Sequence, residues 1–111
     1  MRTLNFGTDS NGNHSYHLPA PDTTQVMARS LSASAAESIT VPAGAKYVVF
    51  SATADFYANY STTATVPGDT TDGSASELNP TGRIVGGLIP AITTISIISA
   101  DACIVTASFY D

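Results

Sequence analysis

Two stretches of the chain share one layout: Ile39-Thr-Val-Pro-Ala-Gly-Ala-Lys-Tyr-Val-Val-Phe-Ser-Ala52 and, 56 positions on, Ile95-Ser-Ile-Ile-Ser-Ala-Asp-Ala-Cys-Ile-Val-Thr-Ala-Ser108. Each is a β-branched run, a short break of small or turn-forming residues, and a second β-branched run. That is the grammar of strand, tight connection and strand. Only Ile39/Ile95 and Val49/Val105 are identical across the aligned cores, so the likeness is shared strand grammar and not proof of duplication. The expectation is a chain of β-hairpins. Ser, Thr and Ala are abundant while Gln and Lys each occur once and Glu twice, so the residues that build long surface helices are nearly missing.

A chain of 111 residues fits one domain, burying about two thirds of the surface that its unfolded form exposes. The expected fold is all-β: a small β-sandwich of jelly-roll or other Greek-key type, with an extended N-terminal arm. Residues 1–35 read as that arm with one strand, and 36–111 as the sandwich core. Turn-forming residues crowd the segment from Asn5 to His14, and the strand follows at Thr23 to Leu31, with Val26 and Leu31 as its inward residues. Further strands are expected at Ser38–Val41, Ala45–Thr53, Thr62–Val66, Thr81–Val85, Thr93–Ser99 and Ala102–Tyr110. The run Pro67 to Ser76 is the longest stretch of loop chemistry, and loops of that length are usually functional or disordered.

Only 12% of residues are charged, against roughly 25% in an ordinary soluble domain, while 43% are hydrophobic. A neutral surface costs little to desolvate, which suits a protein packed against copies of itself or a larger assembly; a plain Thr-rich β-protein has the same composition. The net charge of −5 and the scattered Arg2, Arg29, Lys46 and Arg83 argue against nucleic acid as a partner. No membrane span is expected either, because the apolar stretch from Ile84 to Ile98 is interrupted by Gly, Pro, Ser and Thr. The opening Met-Arg-Thr-Leu-Asn-Phe-Gly lacks an apolar leader core, so the product is expected to be made and used without secretion. Cys103 is the lone cysteine and reads as a small core hydrophobe.

Chemistry-bearing constellations are weak. His14 and His17, with Asp9 and Asp22 nearby, have ligand chemistry but no helix to aim both rings. Asp69, Asp72 and Glu77 offer hard oxygen ligands, but their spacing fits no EF-hand loop and reads as a solvated acidic loop. No Gly-x-Ser-x-Gly elbow, phosphate-cradling loop or Trp sugar platform occurs. The expectation is therefore a non-enzymatic protein with no catalytic residue, metal or cofactor. Tyr57 and Tyr60, within an aromatic group that includes Phe56, Tyr47, Phe109 and Tyr110, are the recognition candidates, with Phe56 and Phe109 in the core on the plainer reading.

From Glu37 to Ala52, through Asp55-Phe-Tyr and Ser76-Glu-Leu-Asn-Pro80, to the closing Ile95–Ala107 run, the chain resembles small virion proteins of tailed bacteriophages. It is most similar to the capsid decoration, or staple, proteins of epsilon15-type short-tailed phages, over about residues 37–110. That resemblance implies a jelly-roll-like subunit on the capsid exterior, made in the host cytoplasm, that ties major capsid protein subunits together. Self-association is also expected, as a dimer before a trimer. The resemblance supplies no residue-level site. By argument, Arg2, Leu4 and Phe6, with Leu18, Val26, Met27 and Leu31, form a clamping arm, and Tyr57 and Tyr60 lie near a subunit contact. A tail or head-completion component and a carbohydrate-binding β-module are the alternatives.

Overall fold

The computed structural model describes residues 1–3 and 24–111. The described residues form no helix and eight strands: β1 (Val26–Leu31), β2 (Glu37–Thr40), β3 (Tyr47–Ala52), β4 (Tyr57–Asn59), β5 (Glu77–Leu78), β6 (Gly82–Ile84), β7 (Thr94–Ile98) and β8 (Cys103–Tyr110). They make two four-stranded sheets, ordered β1-β8-β3-β6 and β2-β7-β4-β5, and every ladder between these strands is antiparallel. The pairing is nested. β1 lies on β8, β2 on β7, β3 on β6 and β4 on β5, so the chain closes like one long hairpin wrapped over itself.

This topology corrects the expectation of local hairpins. β2 and β3 belong to different sheets, as do β7 and β8, so each shared layout is a corner that carries the chain across the sandwich. The hydrogen bonds show why. On the two sides of the Pro42–Ala45 turn, the Val41 N–H donates to Thr93 O at 2.9 Å and the Lys46 N–H to Tyr110 O at 2.8 Å. The flanking backbone is thus committed to β7's side on one hand and β8 on the other. Gly44, at φ +83°, occupies the turn position that demands a left-handed residue. The two look-alike stretches instead pair with each other, placing Ile39 opposite Ile95 and Phe50 opposite Ala107.

Strand alternation delivers the core. Cys103, Val105, Ala107 and Phe109 on β8 point inward, as do Val48 and Phe50 on β3, against Ile39, Ile95, Ile97 and Ala58 of the second sheet. Phe50 meets Phe56 across the layers with ring centroids 5.7 Å apart. Phe56, Phe109 and Cys103 are buried as the sequence suggested, and the Cys103 thiol contacts Ala54 O. On β1 the inward residues are Met27, Arg29 and Leu31, since Val26 and Leu31 are five apart and stand on opposite faces. Val26 therefore points outward at 53% exposure, contrary to its expected inward placement. Leu31, expected at an interface, is 2% exposed and belongs to the core, and Met27 packs against that core. The strand assigned to the arm is thus part of the sandwich, paired with β8 along its whole length. Residues 62–66, expected as a strand, make none.

Charge closes both open edges of the sandwich. Arg29 and Glu37 stand on the inner side of the edge strands β1 and β2, where they form an ion pair across the two sheets. At the opposite edge, Arg83 of β6 holds Glu77 of β5 at 3.0 Å. Both glutamates of the chain are used this way. Each pair is about 40% exposed, so its contribution is in the range of 0.2–1 kcal/mol, roughly that of a surface pair. Inward-pointing charge at an edge also discourages sheet-to-sheet growth between molecules.

Phe109, 0% exposed in the middle of the inner layer, is the test of this core. Phe109→Ala is expected to cost about 3–5 kcal/mol in urea denaturation, whereas Ile89→Ala, at a fully exposed position, is expected to stay within about 0.5 kcal/mol. Gly86 offers a sharper check of the corner. A Cβ there would lie 2.7 Å from Ala45 O and 2.8 Å from Lys46 Cα, so Gly86→Ala requires a backbone shift and is expected to cost about 1–3 kcal/mol in the same assay.

Candidate binding surface

The outer face of the second sheet divides into two regions. At one end, Ile98, Tyr57 and Leu78 are cross-strand neighbours on β7, β4 and β5, making an apolar row. Ile98 is covered, Tyr57 is half-buried and Leu78 is 52% exposed. Toward the other end the outward residues turn to hydroxyls: Ser38 stands opposite Ser96, and Thr40 opposite Thr94.

The long connection between β4 and β5 folds over this face and is held there by three polar side chains. Asn59 is buried and its Oδ1 accepts from the N–H groups of Ser61 and Thr62 at 3.1 and 3.0 Å. Its amide reaches Ser74 O and Ser76 Oγ, both at 3.4 Å. The Ser76 hydroxyl in turn accepts from Thr65 N–H, and the Ser96 hydroxyl accepts from Ala64 N–H at 2.8 Å, which seats Ala64 in a buried position. Side-chain oxygens satisfying loop amides replace the ladder that was expected over residues 62–66. The 67–76 loop, the longest stretch of loop chemistry in the sequence, is anchored at its far end by Ser76.

The walls so formed enclose an open trough of about 720 Å³ on the outer face. Its floor is Ser38, Thr94 and Ser96; one wall is Tyr60 to Thr63 and the other Pro90 to Thr93. Tyr60 packs its ring toward the core and donates its hydroxyl to Glu77 Oε1 at 3.3 Å, the same oxygen that accepts from Arg83. Burial first, and then the Glu77 carboxylate, push the Tyr60 phenol well above its ordinary value. The hydrogen bond to Glu77 likewise raises the Arg83 guanidinium. Asp72 is fully exposed, and the Ser74 hydroxyl holds its carboxyl below the usual range within a local turn.

Of the residues singled out in the sequence, the structure brings Tyr57 and Tyr60 to this one sheet, on different regions of it. Val26 projects from the outer face of the other sheet, and Arg2 bridges Tyr110 at the end of β8. Leu4, Phe6 and Leu18 lie outside the described residues, as do Asp9, His14, His17 and Asp22. Asp69, Asp72 and Glu77 do not assemble, and among the described residues no three carboxylate, thiol or imidazole groups gather as metal ligands. Sequence reading missed Asn59, Ser76 and Ser96, whose roles have only the weak signal that small polar residues flank a long loop. It also missed the exposed aliphatics after β5: Ile84 at 59%, Leu88 at 40% and Ile89 at 99%. The loop that carries Leu88 and Ile89 is fixed at its root, where the N–H groups of Val85 and Gly86 both reach Lys46 O.

Removal of the Asn59 side chain leaves two loop amides without their acceptor, so Asn59→Ala is expected to destabilise the fold by about 2–3 kcal/mol and to speed hydrogen exchange at Ser61 and Thr62. Tyr60 makes a pH prediction. Its phenol is easier to ionise in the unfolded chain, so the unfolded state releases the proton first and stability falls as pH rises through the ordinary tyrosine value of 10.0. Tyr60→Phe is expected to flatten that alkaline loss in denaturation curves recorded across the range. No family model, curated protein or solved structure matches the chain.

Proposed function

We propose that this chain is a capsid decoration, or staple, protein of a tailed bacteriophage, which binds the outer surface of the head and bridges major capsid protein subunits. The nested strand order supports reading the sandwich as a jelly roll, as the sequence resemblance implies. The observation that carries the proposal is the apolar tip of the β6–β7 loop. Ile89 is 99% exposed, its neighbour Leu88 is 40% exposed, and the loop root is held by backbone hydrogen bonds, so an apolar side chain is presented to solvent at little ordering cost. Large aliphatic groups held in water this way are what a partner surface covers. Low charge elsewhere on the chain lowers the desolvation cost of the same contact.

The mechanism is linkage. A protein that binds only the assembled, expanded shell stabilises that state by mass action, with no chemistry required. Tyr57 and the adjoining Leu78 form a second apolar contact in this reading, and self-association as a dimer sets two such surfaces at neighbouring capsid subunits.

Purified chain is expected to add to expanded, undecorated heads and to raise their disruption temperature in differential scanning calorimetry. Ile89→Asp, at a position that the fold does not use, is expected to weaken that addition by roughly tenfold or more while leaving the protein's own denaturation midpoint in place. Failure of the wild-type chain to bind the heads would sink the proposal.

A further inference from the structure

We propose that the trough on the outer face of the second sheet is a binding site for a neutral glycan. Three observations converge on that ligand class. The first is the lining. Among the described residues that line the trough there is no Asp, Glu, Lys, Arg or His, and the one titratable group among them, the Tyr60 phenol, is kept protonated by its burial and by Glu77. A charged ligand would lose water there and find no counter-charge, a cost that a neutral one avoids.

The second is the match of polar groups. Seven lining residues are Ser or Thr: Ser38, Thr94 and Ser96 on the floor, and Ser61, Thr62, Thr63 and Thr93 on the walls. Each hydroxyl both donates and accepts, as each sugar hydroxyl does, so the two surfaces can satisfy one another in many registers. Ser96, which accepts from Ala64 N–H, still has its own O–H to donate. An apolar ligand would leave these groups unpaired. Interspersed with them are Tyr60, Pro90 and Ile92, whose apolar surfaces suit the C–H faces of pyranose rings.

The third is preorganisation. The Tyr60–Thr63 wall is fixed by Asn59 and by the Ala64 to Ser96 bond, and the floor is two paired strands, so little has to be ordered on binding. The volume of about 720 Å³ is of ligand-site size, being within the roughly 300–1,000 Å³ of typical pockets. The site does not depend on the staple reading: Pro90 of its wall adjoins Ile89, but Ile89 is not among the lining residues and binding needs no shell.

The test is a titration of the isotopically labelled full chain, followed by amide chemical shifts. The probes are maltohexaose, cellohexaose, xylohexaose and chitohexaose, with oligogalacturonate as the charged control and a Gly-Ser-Thr peptide as the neutral non-sugar control. At least one of the four neutral glycans is expected to shift the amides of Ser38, Ser61 to Thr63 and Ala91 to Ser96 at millimolar concentration. The double variant Ser38→Ala, Thr94→Val, which removes two exposed floor hydroxyls, is expected to weaken that binding by roughly tenfold while the remaining spectrum stays in place. No shift with any of the four glycans, shifts that map elsewhere, equal binding of the charged oligomer, or equal binding of the peptide would each overturn the assignment.

Discussion

The whole sandwich depends on β8. It is the longest of the described strands, it is paired on both sides, with β1 and with β3, and its inward residues Cys103, Val105, Ala107 and Phe109 are all buried. A strand in that position sets the register of its whole sheet, because a slip of one residue would turn Phe109 out to water and bring Ser108 in. Through the β7–β8 corner the same strand also positions the second sheet. Ser99, buried in that corner, donates its hydroxyl to Asp55 O and accepts from Asp101 N–H, tying the turn to the start of β4. The binding surface thus inherits its rigidity from a core on the other side of its own sheet.

A chain so poor in charge uses what it has economically. Its two glutamates each sit at an open edge of the sandwich, opposite an arginine from the other sheet. Their worth in free energy is small, and their position is what matters: edge strands with charge turned inward resist pairing with another molecule. The two broad faces can then stay neutral without inviting uncontrolled growth at the edges. On the second sheet that neutrality divides into an apolar row and a hydroxyl-lined trough, whose chemistries suit different partners.

Much of the fold was legible in local pattern. The all-β class, the strands at Tyr47–Ala52 and Cys103–Tyr110, the turn at Pro42–Gly44 and the burial of Phe56, Phe109 and Cys103 all follow from period-two alternation and turn chemistry. The site was far less legible. Tyr57 and Tyr60 stood out as aromatics, but Asn59, Ser76 and Ser96 are ordinary residue types whose importance comes from what they touch 2 to 32 positions away. Ile89 reads in sequence as one more apolar residue in an apolar stretch, and only its loop makes it exposed.

By itself the sequence determined most of the segments that become strands and which face of most of them turns inward, because alternation and backbone propensity act over a few residues. It could not determine which strands pair. The layouts at 39–52 and 95–108 have the local grammar of hairpins, and a hairpin and a sheet-crossing corner differ only in where the flanking N–H groups find acceptors. Those acceptors, Thr93 O and Tyr110 O, lie more than fifty residues along the chain. Tertiary structure therefore decided that the two similar stretches lie against each other instead of folding back on themselves, since burying Ile39, Val48, Ile95 and Val105 together in one layer requires strands of both on each sheet.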